Sequence, residues 1–549
     1  MQRRAFIYNT ALLALVAGIS ADSCINGMAT TESIKKLEGK PDRQKLIFLL
    51  RRATLGFTQS QLQELEGKDA AEIVDILLND SPVITEPLNF EFPDDRLVPI
   101  GKSWLLAPYR TDVFYEQYRK KSLRAWLLSF TYQNPCSLRQ QMMYFWLNYY
   151  AVSDVIEHKY EHRHLLYLHD NAWGNFKQIT SDITIDPAML RFLSGFENTK
   201  ENPNENYARE LLELFTLGRG EIKGKGDYTH FSEKDIRQIA RVMTGWKDCG
   251  WFTEDPVKKI GVEFNEASHD SGTKQLSAHF DNMVIDNGGA EEFKSVIALI
   301  FAKKQTALHF TRRLYRWFCT ETISAGTEKE IIEPLAQLLI NSNFEIKPVL
   351  KALLTSQHFF SLAHDNARIK NPLHFTFELL HFFPMQILAD VTRQYNFWSD
   401  MFENLRCMGM ELLKPPSVAG WKAYYQAPAY GKLWINSASL QARKKLVTHI
   451  SFSEGSFRKH GVNISFNDVQ KQIKAAGFEA LFSYFNTMFF AGQLGPEIKQ
   501  TARKVFETIP SPAPANQSAS SETNRNEHRD AGFNQLINYL FNLPIYNLH

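Results

Sequence analysis

The chain has 549 residues, 44% hydrophobic and 13% aromatic, and its 62 basic and 60 acidic residues leave a net charge of +2. With 40 Phe and 10 Trp against 28 Gly, it can fill two or three ordinary domains or one large helical body with an appendage. The near balance of charge points to no nucleic-acid partner and to no strongly anionic one.

Residues 1–24 read as an export signal. Arg3-Arg4-Ala5-Phe6-Ile7 has a twin-arginine, one-spacer, Phe pattern, and the apolar run from Ala11 to Ile19 is too short for an ordinary spanning helix. Cys24 follows in Ser20-Ala21-Asp22-Ser23-Cys24, where lipidation and simple cleavage both stay open, since Ala21 and Asp22 depart from a Leu-containing lipobox. The expected location is outside the cytoplasm, either periplasmic or at the outer membrane or cell surface, with a lipid anchor if Cys24 is acylated. Cys136, Cys249, Cys319 and Cys407 are far apart and form no CxxC, so neither a zinc ribbon nor a thioredoxin-type site is indicated. Two disulfides or buried free thiols both fit.

From residue 43 to 509 the periodicity predicts a mainly α body, a large multi-helix unit with irregular loops and little strand. Lys45–Thr54 is a helix ending at Gly56; Thr58 caps the next, and Ala71–Leu78 is helical. Pro82, Pro87, Pro93 and Pro99 exclude regular helix over 81–100. Helix returns from Tyr115 to Tyr150, broken at Asn134-Pro135 and capped again by Ser137, then over Phe176–Ile185 and Ala188–Leu193. Ser232-Glu233-Lys234-Asp235 opens another helix, ending at Gly245-Trp246. Residues 247–290 read as irregular or short-stranded, and helices resume over 291–301, 306–319, 327–341, 347–354, 368–383 and 437–450. Residues 510–531 read as a flexible linker, and 532–549 as a helical C-terminal segment.

The densest run of local signals is Asn202 to Gly218. Asn202 is the expected N-cap, Pro203 the first helical residue, and Gly218 the left-handed stop. Tyr207, Leu211, Leu214 and Phe215 share an apolar side, while Glu205, Arg209 and Glu213 recur at i, i+4, i+8 opposite. That stripe is either a solvated ion-pair ladder or the wall of a cleft in which two carboxylates straddle an arginine. This helix and the 232–245 helix should pack as a hairpin.

Two other clusters carry candidate chemistry. His158 and His162 lie at i, i+4 in Glu157-His158-Lys159-Tyr160-Glu161-His162-Arg163-His164, a spacing that places two imidazoles on one metal; otherwise the helix is polar and partly exposed, with freely titrating histidines. His269, Asp270 and Lys274 sit in a Gly-containing loop. A His oriented by an Asp is a candidate general base and the Lys a stabiliser of negative charge, against a loop-tying hydrogen bond and a solvated Lys. Ser417 is not in a GxSxG elbow, and the lysines and glycines of 223–226 form no P-loop. Trp246, Trp251, Phe252, Trp421, Tyr424 and Tyr425 are either an aromatic platform for sugar rings or core.

In these blocks the chain resembles the bacterial family called domain of unknown function 1800. In order they are Arg51-Arg52-Ala53-Thr54-Leu55-Gly56-Phe57-Thr58, Asp186-Pro187-Ala188-Met189-Leu190, Pro203 to Gly218, Ala240-Arg241 with Thr244-Gly245-Trp246, His269 to Lys274, and Pro415-Pro416-Ser417-Val418-Ala419-Gly420-Trp421. The resemblance runs from about residue 43 to the C-terminus. It implies a large exported bacterial protein, often accompanied by a sulfatase-like family, with no established reaction and no assigned cofactor. One block departs. Where relatives often read Phe-Trp-His-Asn-His-Phe, this chain has Phe145-Trp146-Leu147-Asn148-Tyr149-Tyr150. If those histidines serve chemistry in relatives, this copy has lost both.

Two functional readings remain. One is an exported, hydrolase-like enzyme acting on an envelope or extracellular polymer, with Glu205, Arg209, Glu213, His269, Asp270 and Lys274 in one polar cleft. The other is a non-catalytic binding or partner protein in which the same residues form a structural network.

Overall fold

Side-chain caps divide the chain into helices largely where the sequence places them. Asp42, Thr58, Asp69 and Ser137 each accept a backbone N–H from the first turn of the following helix, satisfying a donor that a helix start leaves open. This computed structural model describes residues 34–110, 114–255, 259–364, 368–387, 389–464, 469, 477–508 and 521–549, the side chains of 364 and 521–530 excepted. The expected export signal and Cys24 lie outside the described residues.

The elements that position the site are α1 (Arg43–Ala53), α2 (Glu116–Gln133), α3 (Leu138–Tyr149), α4 (His158–Asp170), α5 (Glu205–Glu210), α6 (Glu233–Val242), α7 (Lys304–Phe318), α8 (Pro372–Phe382) and α9 (Val391–Cys407). Helix α2 packs along α9 and against α4, and α5 lies on α6 as the predicted hairpin. The strands among the described residues form two-stranded antiparallel pairs only, Trp246–Cys249 with Gly261–Phe264 being the longest. The protein is mainly α. A single hydrophobic cluster runs from Ile34 to Tyr546.

The opening family block ties the two ends of the body together. Arg51 pairs with Glu378 of α8 at 2.6 Å, and Lys370 and Tyr546 reach the same carboxylate. Burial would raise the Glu378 carboxyl, but Arg51 and Lys370 hold it well below its ordinary range. Arg52 donates to the carbonyls of Cys319 (2.9 Å) and His549 (2.8 Å). Gly56, at φ +137, lets the chain approach α8 so closely that a Cβ would meet Phe377 O at 2.9 Å.

Four expectations need correction. Asn202 does not cap the central helix: it pairs with Thr199 in an isolated bridge, while Asn204, anchored to Asn198 and Ser194, accepts from Asn206 N. That helix is also not α throughout, because residues Leu211–Thr216 form a π-helix before Gly218 ends it at φ +72. The linker expected over 510–531 is helical in its second half, since one helix spans Ser521–Phe541 and buries Phe533, Leu536, Ile537 and Leu540. Finally, Val391–Cys407, Phe478–Phe490 and Pro496–Glu507 are helices that the periodicity did not single out. Among the described residues, Cys136, Cys249, Cys319 and Cys407 are thiols, none of them joined in a disulfide. Among the described residues, no helix is long and apolar enough to cross a membrane.

The altered block 145–150 is a structural joint. Tyr149 is fully buried and donates to Phe215 O of the π-helix at 2.9 Å, beneath the Arg313 guanidinium 4.1 Å from its ring. His309 Nε2 (2.9 Å) and Arg313 (3.1 Å) meet the neighbouring Leu214 O, so the carbonyls that the π-helix leaves free find partners on α7. Leu147 is buried core. Asn148 accepts from Trp421 N at 2.9 Å, joining this block to Pro415–Trp421.

Gly420 makes that joint testable. At φ +86 its absent Cβ would overlap the Asn148 side chain and carbonyl, so Gly420→Ala is expected to lower stability by roughly 2–4 kcal/mol in denaturant titration, while Gly409→Ala, at φ +95 with open space around it, carries the φ strain alone and should cost less.

Candidate functional site

The residues that the sequence proposes for one cleft fall into two separate networks at opposite ends of α6. At its start, Arg209 forks onto Glu233 (2.7 and 2.8 Å) and also meets Glu205 (3.2 Å) and Glu213 (3.8 Å). The fork holds the Glu233 carboxyl down to about 2, and all these side chains are partly exposed. At its end, Arg241 forks onto Asp270 (2.7 and 3.1 Å), which lowers that carboxyl too. Glu233 and Arg241 are eight residues apart, about 12 Å along a helix axis.

His269 and Lys274 are enclosed behind Asp270. His269 Nε2 meets Glu292 at 2.9 Å, its Nδ1 meets Thr244 O at 2.9 Å, and Lys274 pairs with the other Glu292 oxygen at 2.6 Å. Lys274 and Glu292 side chains have no exposed surface. This triad ties the 269–274 loop to the helix over Glu292–Phe301, with every charge met by its opposite. The aromatic residues likewise divide among packing clusters: Trp246 lies on Phe264 and Phe293, Trp251 on Tyr160, and Tyr424 on Trp317 and Trp434.

Helix α4 is not the partly exposed helix of the milder reading, because His158, His162, His164 and His169 are all buried. Each has its own environment. His162 lies against the Trp126 ring at 4.9 Å, and burial lowers its pKa to about 4. His164 meets Asp186, and His169 meets Asp170, both at 3.0 Å. His158 Nδ1 meets Glu161 at 2.7 Å. The i, i+4 pair therefore does not converge, and no group of three or more His, Cys, Asp or Glu among the described residues is arranged to hold a metal ion.

His158 instead opens onto a cleft of about 350 Å³ where the first turns of α2 and α4 meet, lined among others by Phe114, Glu116, Lys120, Ile156 and Glu161. Its Nε2 faces Glu116 Oε2 at 3.5 Å, too long for a hydrogen bond. Glu116, His158 and Glu161 side chains keep 15%, 4% and 9% exposure, so all three touch the cleft from nearly dry positions. Burial, reinforced by the Glu157 charge against the pull of His158, raises the Glu116 pKa to about 7.

A second layer fixes these groups. Glu157 caps α4 by accepting Lys159 N at 3.0 Å, and it also accepts the Tyr109 hydroxyl and Phe252 N. Arg119, three residues beyond Glu116, is enclosed by the rings of Tyr109 (4.4 Å) and Tyr115 (4.6 Å). Burial and Arg119 lower the Lys159 ammonium to about 8. Glu116 has no mark of its own in the sequence. The available signal was the stripe Glu116, Lys120, Arg124 at i, i+4, i+8 on one helix face.

A family model described as "Protein of unknown function (DUF1800)" matches residues 48–548. No curated protein and no solved structure matches the chain.

The raised carboxyl has a consequence for stability. A folded pKa above the unfolded value means that the folded state binds the proton more tightly. Its contribution is therefore present below about pH 4.5 and lost as pH rises to about 7. Glu116→Gln, which cannot ionise, is expected to gain roughly 1–2 kcal/mol on wild type between pH 5 and pH 8 in urea titration, after allowance for solvent screening at a cleft wall.

Proposed function

The chain belongs to the DUF1800 family, and we propose that it is an exported protein that hydrolyses a cell-envelope or extracellular polymer in the cleft between α2 and α4. The observation that carries this reading is the protonatable Glu116 carboxyl, with a pKa of about 7, set 3.5 Å from His158 in an open cleft. Glu161 accepts from Nδ1 and leaves Nε2 as the basic nitrogen toward the cleft. His158 then takes a proton from the attacking water, and Glu116 gives one to the leaving group. The acid works near neutral pH because its pKa lies there.

Export rests on the Arg3-Arg4-Ala5-Phe6 pattern and is checked by cell fractionation with Arg3 and Arg4 replaced by Lys. The sulfatase-like partner implied by the resemblance belongs to the same proposal, and co-purification from the exported fraction checks it. In this reading Glu205, Arg209 and Glu213, like His269, Asp270 and Lys274, belong to the scaffold, because Arg209 joins Glu205 and Glu213 to Glu233, Arg241 holds Asp270, and Glu292 holds His269 and Lys274.

Turnover on a panel of envelope glycans and peptides is expected to fall as pH rises through about 7, and to drop roughly 10²–10⁴-fold in Glu116→Gln and in His158→Ala without loss of folding. Turnover untouched by both substitutions contradicts the proposal. Tight binding of a polymer with no cleavage would make the cleft a recognition site instead.

A further inference from the structure

The spacing of the acid and the base limits which bond they can break. Glu116 is the first residue of α2 and His158 the first of α4, and Oε2 of one stands 3.5 Å from Nε2 of the other. Tyr109 ties the two helix starts, since it donates to Glu157 and lies 4.4 Å from the Arg119 guanidinium, and Glu161 holds the His158 ring from behind at 2.7 Å. The pair is therefore fixed as close neighbours. Glycosidases set their two carboxyl groups at least about 5 Å apart, to leave room around the anomeric carbon for water or a nucleophile on one side and the leaving oxygen on the other. Acyl chemistry makes the opposite demand. Water adds to a carbonyl carbon and the leaving atom departs from that same carbon, so both proton transfers occur side by side. Two groups only ~3 Å apart share that work in aspartic proteases.

We propose that the bond cleaved in this cleft is a peptide amide, with an apolar side chain of the substrate against Phe114 and Ile156, and that glycosidic bonds are not substrates. This rests on the hydrolytic reading above. An amide also accounts for the acid, because an amine departs as a neutral molecule only if its nitrogen gains a proton as the C–N bond breaks. The cleft wall suits a peptide side chain: Phe114 is 76% and Ile156 55% exposed, and Val155 and Leu413 line the same cleft, so covering them removes apolar surface from water. In the step, the water oxygen bonds the carbonyl carbon as His158 Nε2 takes one water proton. The C–N bond then breaks with its electron pair on nitrogen, and Glu116 gives that nitrogen its proton, leaving a carboxylic acid and an amine. The proton on His158 passes back to Glu116 through water, restoring both groups.

The test incubates the full-length protein with purified bacterial cell-wall sacculi, which contain both amide and glycosidic bonds, and follows new primary amines and new reducing ends. Amines without reducing ends are expected, and in water labelled with heavy oxygen each new carboxyl group carries the label. Two small probes, an N-acyl-phenylalanine anilide and the p-nitrophenyl ester of the same acyl group, then read the acid. Glu116→Gln is expected to lose roughly 10²–10⁴-fold on the anilide but less than about ten-fold on the ester, whose phenolate departs without a proton. The retained ester turnover also shows that this variant is folded. His158→Ala loses turnover on both probes. Reducing ends without new amines overturn the amide assignment and leave the hydrolytic reading standing. Neither product from sacculi, together with no turnover of either probe, overturns the hydrolytic reading and the amide assignment with it.

Discussion

The Arg119 guanidinium, fully enclosed between aromatic rings, is the fixed point on which the cleft depends. It lies over Tyr109, Tyr115 and Trp104, with Asp95 at 3.9 Å. Removing a guanidinium from water costs several kcal/mol unless partners replace the solvent, and here the partners come from the segment before α2. That segment must fold back for the cage to close, and closing it fixes Glu116 one turn earlier on the same helix. Tyr109 also donates to Glu157, the cap of α4. Both helix starts thus hang on one cage, and this brings Glu116 and His158 together across 42 residues of sequence.

The same physics separates the cleft from the other charged regions. Arg209 is forked onto Glu233 and bordered by Glu205 and Glu213, Arg241 pairs with Asp270, and Lys274 and His269 both meet Glu292. Such a paired set ties together the loops and helices it joins. Glu116 differs because burial opposes its charge more strongly than its neighbours support it. In the proposed reaction, that same cost to stability is what keeps a proton on Glu116 near neutral pH. Glu210, on the central helix, is likewise raised to about 7, by burial and by Glu213.

Much of the fold was legible because caps and breakers act locally. Thr58, Ser137, Ser232 and Gly218 end or begin elements where the chain says so. The helix over Phe478–Phe490 was legible too, although it was not singled out: its buried Phe478, Leu481, Phe482, Phe485, Met488 and Phe489 recur at i, i+3, i+4, i+7, i+10 and i+11, the helical spacing. The Asn202 cap failed for a tertiary reason: Asn198 and Ser194 capture Asn204, a contact no local pattern reports. The site was the least legible part. The i, i+4 spacing of His158 and His162 is real, but Trp126 takes one ring and Glu161 the other. Likewise, the ladder on the central helix is spaced as expected, and it is Glu233, from the next helix, that completes it. Spacing fixes which face a residue shares; it does not say what arrives opposite.

The most direct measurement is an infrared titration of the carboxyl groups, taken as the difference between wild type and Glu116→Gln across pH 4 to 9. The account predicts one protonated-carboxyl band, present in wild type only, that persists past the range of ordinary carboxylates and disappears around pH 7. A Glu116 band already lost near the ordinary Glu value of about 4.3 would contradict it, because the cleft would then hold no proton donor at neutral pH.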